Sequence, residues 1–136
     1  MATFQCEITV SFKDTDASGV IFFANQLVFA HDALEKFMGE IGHGFRSIMD
    51  EGSFLLPIVH AEADYSQPVT VGDLLTVELS VARLGTSSVT IDYKLNKDPV
   101  GQIGTCRTIF VAVDRASGQK ISLPESLRQS LAEYRS

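Results

Sequence analysis

The chain has 136 residues, enough for one domain with a core of its own. Hydrophobic residues make up 45% and charged residues 21%, which excludes a disordered chain. Seventeen acidic against eleven basic side chains leave a net charge of −6, which excludes a general nucleic-acid or membrane-surface binder, since both want a basic face.

From Thr3 to Lys13 the alternation is strict, with Phe4, Cys6, Ile8, Val10 and Phe12 on one side, which predicts a half-buried strand. Asp14 to Gly19 then break the period with turn formers. From Phe23 to Glu40 there is no proline, and Leu27, His31, Leu34, Met38 and Ile41 recur at helical spacing. Ala24, Val28, Phe29, Ala30, Ala33 and Phe37 widen that stripe, which predicts a helix enclosed by the fold rather than laid on its surface. Gly39, Gly42 and Gly44 end it, and Phe45 to Glu51 reads as a short second helix.

The rest is mostly strand. Val59, Ala61, Ala63 and Tyr65 alternate with His60, Glu62, Asp64 and Ser66. Val77, Leu79 and Val81 form a second alternating set, and Val89, Ile91, Tyr93 and Leu95 a third. Turns are marked by Pro68 with Gly72-Asp73, by Gly85 to Ser87, and by Asp98-Pro99-Val100-Gly101. A last strand runs from about Gly104 to Asp114, and its run Ile109 to Val113 is apolar on both faces, as in a central strand. Pro124 to Tyr134 reads as a short terminal helix.

Strand, long apolar helix and four strands in hairpin-like succession give an α+β arrangement in a single domain, 1–136. The antiparallel sheet must curl around the helix to cover so much apolar surface. The doubly apolar last strand predicts a homo-oligomer. MATFQCEITV has neither the basic nor the apolar region of a signal peptide, and no apolar run approaches the ~18 residues of a membrane span, so a cytoplasmic protein is expected. Cys6 and Cys106 sit in alternating patterns and read as two buried thiols rather than a disulfide framework.

The chemistry concentrates in Asp14 to Asn25, which joins the first strand to the helix. It offers carboxylates, a flexible glycine and the free N–H groups of a helix start, which can hydrogen-bond a carbonyl oxygen as it becomes an oxyanion. A carboxylate on the preceding loop can act on the same carbonyl as base or nucleophile. The same residues also suit a plain turn, with Asp14 or Asp16 capping the helix.

Asp16-x-x-Gly19-Val20-Ile21-Phe22-Phe23-x-Asn25, with Asp14 two residues before, resembles the active-site segment of hot-dog-fold acyl-CoA thioesterases of the 4-hydroxybenzoyl-CoA thioesterase type. Tyr65-x-x-Pro68-x-x-x-Gly72-Asp73 and Arg83-x-Gly85-x-Ser87-Ser88 extend the resemblance over nearly the whole domain. It implies a curled antiparallel sheet wrapped around one long central helix. It also implies Asp16 as catalytic carboxylate, attacking the thioester or activating a water, and the backbone N–H of Phe23 as oxyanion donor. Gly19 would let the loop pass close to the ligand. The family assembles as dimers, commonly dimers of dimers, so a homotetramer with sites at subunit interfaces is implied. No cofactor or metal is implied. A large bacterial branch carries His where this chain has Phe23, which leaves Asp16 as the only evident acid–base group of the segment. The run Asp14 to Gln26 is most similar to cyanobacterial and plastid members, which act on 1,4-dihydroxy-2-naphthoyl-CoA on the way to phylloquinone. That implies an aromatic acyl-CoA substrate, with Phe22 and Phe23 shaping a flat pocket.

Other constellations are weaker. His60, Glu62 and Asp64 share one strand face, where polar residues are expected anyway, and His60 is the one placed to meet a polar acyl group. His31 and Glu35 lie at i, i+4 without a third ligand of the zinc kind. Ser18 has no nearby base in sequence, which disfavours a Ser–His–Asp hydrolase. For the phosphates of coenzyme A, Arg83 is the first candidate cation, with Lys94, Lys97 and Arg107 behind it. Ser87 and Ser88 are candidates to receive the pantetheine amides. Two readings compete with the aromatic thioesterase: a short- or medium-chain aliphatic acyl-CoA or acyl-carrier thioesterase, and a non-catalytic acyl-CoA-binding protein of the same fold. An intact Asp16 beside Gly19 argues against the second. Hot-dog hydratases need a His at the site, and none lies near Asp16 in sequence.

Overall fold

The computed structural model describes residues 2–136; Met1 lies outside the described residues. In chain order come β1 (Phe4–Thr9), a 3-10 turn (Phe12–Asp14), α1 (Asn25–Glu40), α2 (Phe45–Glu51), β2 (Phe54–Leu55), β3 (Ile58–Tyr65), β4 (Leu74–Leu84), β5 (Ser88–Lys97), β6 (Gly101–Val111), β7 (Val113–Asp114) and α3 (Glu125–Ala132). Five strands form one antiparallel sheet in the order β1-β4-β5-β6-β3, and β2 pairs separately with β7.

The period-2 patterns set the sheet's faces. Leu75, Val77, Leu79 and Val81 on β4, and Val89, Ile91, Tyr93 and Leu95 on β5, are buried on the side that faces α1. Residues between them, such as Glu78, Asp92 and Lys94, line the opposite face. On α1 the buried positions are Gln26, Phe29, Ala30, Ala33, Leu34, Phe37 and Met38, a 3.6-period stripe set into the sheet's hollow. Burying one such leucine or phenylalanine contributes about 1.5–3 kcal/mol.

Four expectations change. The helix is embraced on one side only, because His31, Asp32, Glu35 and Lys36 stay exposed within the single chain. The first strand stops at Thr9: the Asp14 carboxylate accepts the Ser11 N–H at 2.8 Å, winding the chain into the 3-10 turn and leaving Phe12 82% exposed. The last strand splits at Ala112, so that Val113–Asp114 can pair with β2.

The fourth change matters most for function. β3 and β4 are not a hairpin. β3 pairs with β6 at one edge, while β4 pairs with β5 and β1, so residues 66–73 cross the end of the sheet. The crossing is tied down by backbone bonds: Ile21 N–H to Val69 O at 2.9 Å, Val10 N–H to Asp73 O at 2.9 Å, and Gly72 N–H to Val10 O at 2.9 Å. Beyond β1, the outer edge of β4 is completed by the C-terminal residues, with Val81 N–H on Tyr134 O at 2.9 Å and Ser136 N–H on Val81 O at 3.0 Å.

Candidate active site

The site is built from the loop after β1, the start of α1 and the crossing segment 66–73. Asp14 is buried, and its carboxylate holds the Ser11 N–H and the Lys13 ammonium at 2.8 and 3.2 Å. Its carbonyl accepts the Phe22 N–H at 2.9 Å and the Asn25 amide at 2.8 Å. Asp14 and Asn25 therefore brace the loop. Above them the chain folds back on itself, with Thr15 bridged to Ile21 and Asp16 N–H on Val20 O at 3.0 Å. Asp16, Ala17, Ser18 and Gly19 form the exposed tip.

Gly19 adopts φ +87°, and a Cβ there would meet nothing within 4 Å. Its requirement is conformational: a left-handed backbone costs an ordinary residue roughly 1–2 kcal/mol. The tip is pinned to the crossing segment by the Thr70 hydroxyl, which donates to Gly19 O at 2.8 Å. Asp16 accepts the Ser18 N–H and hydroxyl on a single carboxylate oxygen. Those two bonds, the hydroxyl first, hold its carboxyl below the usual carboxylate range.

At the start of α1, the N–H groups of Phe23 and Ala24 find no acceptor among the described residues. They carry the positive end of a 16-residue helix. Phe22 and Phe23 are 46% and 65% exposed, and their rings pack together with centroids 4.9 Å apart. Tyr65, at the end of β3, donates its hydroxyl to Phe23 O at 2.9 Å. Beside them lies an open, mostly apolar cavity of about 380 Å³, lined by Ile21, Phe23, Gln26, Tyr65, Pro68 and Val69 among others.

Sequence reasoning missed Gln26 and Gly104. The buried Gln26 amide donates to Asp64 O at 2.8 Å and Thr105 O at 3.1 Å, fixing the first turn of α1 to β3 and β6. Gly104 makes room for it: a Cβ there would lie 2.6 Å from Gln26 Nε2 and 2.6 Å from Asp64 O. The signals were a polar residue on an apolar helix stripe and a glycine inside a strand. Asp73 was read only as part of a turn. Its carboxylate holds Lys97 Nζ at 2.8 Å and the Thr70 N–H at 2.9 Å, which keeps it below the usual carboxylate range and stiffens the crossing.

Asp16, Gly19, Phe22 and Phe23 all lie on the folded-back loop and the start of α1, and of the four Phe23 lines the cavity. His60 does not join them: it lies on the sheet face away from α1, paired with Glu62 at 2.9 Å. Arg83, Ser87 and Ser88 lie at the far end of β4 and β5, roughly 30 Å along the strand from Leu74. The carbonyls of Ser87 and Ser88 already accept Ala112 N–H and Gly85 N–H at 2.8 Å each. Lys94 and Arg107 face away from α1, and Arg107 makes two bonds to Asp92 at 2.6 and 3.0 Å. Cys106 is buried and its thiol is pushed up to about 11 by burial, while Cys6 is partly buried; both are free. No group of three metal-ligating side chains occurs among the described residues, and no helix there is long and apolar enough to cross a membrane.

Residues 10–131 match the sequence profile of the thioesterase-like superfamily. The chain belongs to that family. Its relatives include a 1,4-dihydroxy-2-naphthoyl-CoA hydrolase of Synechococcus elongatus, 40% identical over 96% of each chain. Another of the same name, from Nostoc punctiforme, is 33% identical over 98% of this chain and 89% of the relative. Among solved structures, a 1,4-dihydroxy-2-naphthoyl-CoA thioesterase from Synechocystis superposes with a TM-score of 0.91 at 27% identity, covering 97% of each chain. A Staphylococcus aureus protein crystallised with CoA shares the fold alone, with a TM-score of 0.90 at 18% identity over 98% of this chain and 84% of that one. The hot-dog fold expected from the loop motif is therefore the fold of this chain.

Proposed function

We propose that this chain hydrolyses an aromatic acyl-CoA thioester, 1,4-dihydroxy-2-naphthoyl-CoA first, giving 1,4-dihydroxy-2-naphthoate for phylloquinone synthesis and free CoA. The observation that carries the reading is a single one: an exposed, ionised carboxylate, Asp16, on the loop leading into a helix start whose Phe23 N–H is unclaimed, in a chain 40% identical to a hydrolase of that name. The thioester oxygen would accept the Phe23 N–H. Charge building on that oxygen in the tetrahedral state would be stabilised by the N–H and the helix dipole. Asp16 would either attack the carbonyl carbon, with the C–S bond breaking to expel the CoA thiolate and the resulting acyl anhydride then hydrolysed by water, or take a proton from an attacking water and pass it to the thiolate as the C–S bond breaks. The rings of Phe22 and Phe23 would flank a planar acyl group.

The site is completed, on this reading, by a second copy. β3 is an edge strand, and Ile58, Val59 and Tyr65 on it are 41%, 59% and 50% exposed. Antiparallel pairing of β3 with its copy would set the Tyr65 end of one subunit against the Ile58 end of the other. The turn carrying Arg83, Ser87 and Ser88 lies at that Ile58 end, so it would reach the neighbour's cavity and not its own. The assembly would be a dimer of dimers in the cytoplasm.

The test is a hydrolysis panel with light scattering of the same sample. Flat aromatic acyl-CoAs should exceed octanoyl-CoA at least tenfold in kcat/KM, about 1.4 kcal/mol. Ring packing supplies about 0.5–1.5 kcal/mol of that, and a rigid acyl group loses few rotors. An aliphatic preference would move the substrate to the aliphatic class. A mass near one chain would remove the shared site.

A further inference from the structure

We infer that Ser18 is a positioning residue for Asp16, occupying Oδ1 with two donors so that Oδ2 alone is presented to the substrate. The inference rests on the reading of Asp16 as the reacting group. The Ser18 N–H reaches Oδ1 at 2.8 Å, and the Ser18 hydroxyl donates to the same oxygen. Asp16 is otherwise exposed, and an exposed carboxylate turns freely about two side-chain bonds. Two donors on one oxygen remove that freedom. They also leave the second oxygen without a partner among the described residues.

The loop is built to keep the pair in register. Gly19 N–H donates to Asp16 O at 3.0 Å, closing the turn, and Thr70 clamps Gly19 from the crossing segment. A donor to the ionised form favours that form. No neighbouring charge takes this part. On the 3-10 turn Asp14 is paired with Lys13 at 3.2 Å, and on the crossing segment Asp73 is paired with Lys97 at 2.8 Å. The lowered carboxyl of Asp16 traces first to the Ser18 hydroxyl and then to the Ser18 N–H. Whether Oδ2 attacks carbon or takes a proton from water, it must be deprotonated and aimed, and Ser18 secures both. A backbone N–H survives any side-chain change at position 18, whereas the hydroxyl does not. Ser18→Ala therefore removes one of the two donors, and Ser18→Thr retains it.

Two readouts on wild type, Ser18→Ala and Ser18→Thr test this. One is the titration of the Asp16 side-chain carboxyl carbon by 13C NMR without substrate. The other is the acidic limb of kcat/KM for 1,4-dihydroxy-2-naphthoyl-CoA. In Ser18→Ala the titration and the limb should both move to higher pH, and kcat/KM at neutral pH should fall about three- to tenfold, the value of one hydrogen bond. Ser18→Thr should return all three. The substitutions lie at an exposed loop tip, so the melting temperature should not change. If the titration stays where it is in Ser18→Ala, the inference falls while the thioesterase reading stands. If the titration moves and the limb does not, Asp16 is not the reacting carboxylate, and the inference falls together with that reading.

Discussion

Across β4 and β5, Leu75, Val77, Leu79, Val89, Ile91 and Leu95 are wholly buried, whereas on the loop and helix start that border the cavity mouth Asp16, Phe22 and Phe23 stand in the open. The middle of the sheet is stabilised by apolar area, spread over many residues and indifferent to any one hydrogen bond. The mouth is held by a few polar contacts between distant segments: Asp14 O to Asn25, Gln26 to Asp64 O and Thr105 O, Thr70 to Gly19 O, Lys97 to Asp73. Those contacts use up the bracing groups and leave the Phe23 N–H and one Asp16 oxygen without a partner among the described residues. On the proposed mechanism stability and chemistry are carried by separate residue sets, and substitutions should separate them.

The largest effect is expected from Asp16→Asn. The change is nearly isosteric and keeps an oxygen for Ser18, so the melting temperature should match wild type while kcat falls about 10²–10⁴-fold. Steady-state kinetics with thermal denaturation decides it, and retention of more than a tenth of kcat removes Asp16 from the reaction. Ile91→Ala should do the reverse. A cavity in the sheet's middle costs about 2–5 kcal/mol of unfolding free energy, with kcat intact below the melting transition.

Gly104→Ala sharpens the contrast by touching the seam between the two regions. Its Cβ would press on Gln26 and on Asp64 O, costing about 1–3 kcal/mol, and because Gln26 fixes the first turn of α1, kcat should fall as well. A loss of stability with unchanged kcat would show that the helix start keeps its place without that amide. The smallest effect concerns pH. Asp73 is held below its ordinary value of 3.8, so its contribution is complete above that value and is lost as pH falls through the lower, folded one. Lys97→Met should cost about 1–2 kcal/mol at neutral pH, and the gap to wild type should narrow in urea titrations below about pH 4 to what the Lys97 bond to Pro68 O contributes.

The apolar period made the sheet and α1 legible in the sequence, because alternate burial on β4 and β5 needs only local information. The loop motif singled out Asp16, Gly19 and the helix start as candidates for a similar reason: its parts are neighbours in the chain. What escaped was pairing over distance. The turn formers Pro68 and Gly72 look the same whether a chain reverses into a hairpin or crosses a sheet, so the partnership of β3 with β6 was invisible. Gln26 meets Thr105 across 79 residues, and no local pattern marks such a contact. His60 illustrates the converse. Its alternation set it with Glu62 and Asp64 on the polar face of β3, which the structure turns away from α1, so its candidacy for the acyl pocket ran against the pattern.

The three C-terminal residues that complete the edge of β4 have a practical consequence. They act as a plug: with Tyr134 and Ser136 bonded to Val81, that stretch of strand offers no free row of donors and acceptors to another chain. Shortening the chain there would unmask a hydrophobic strand without disturbing the cavity, so such a variant should turn over substrate normally while it lasts and precipitate on storage.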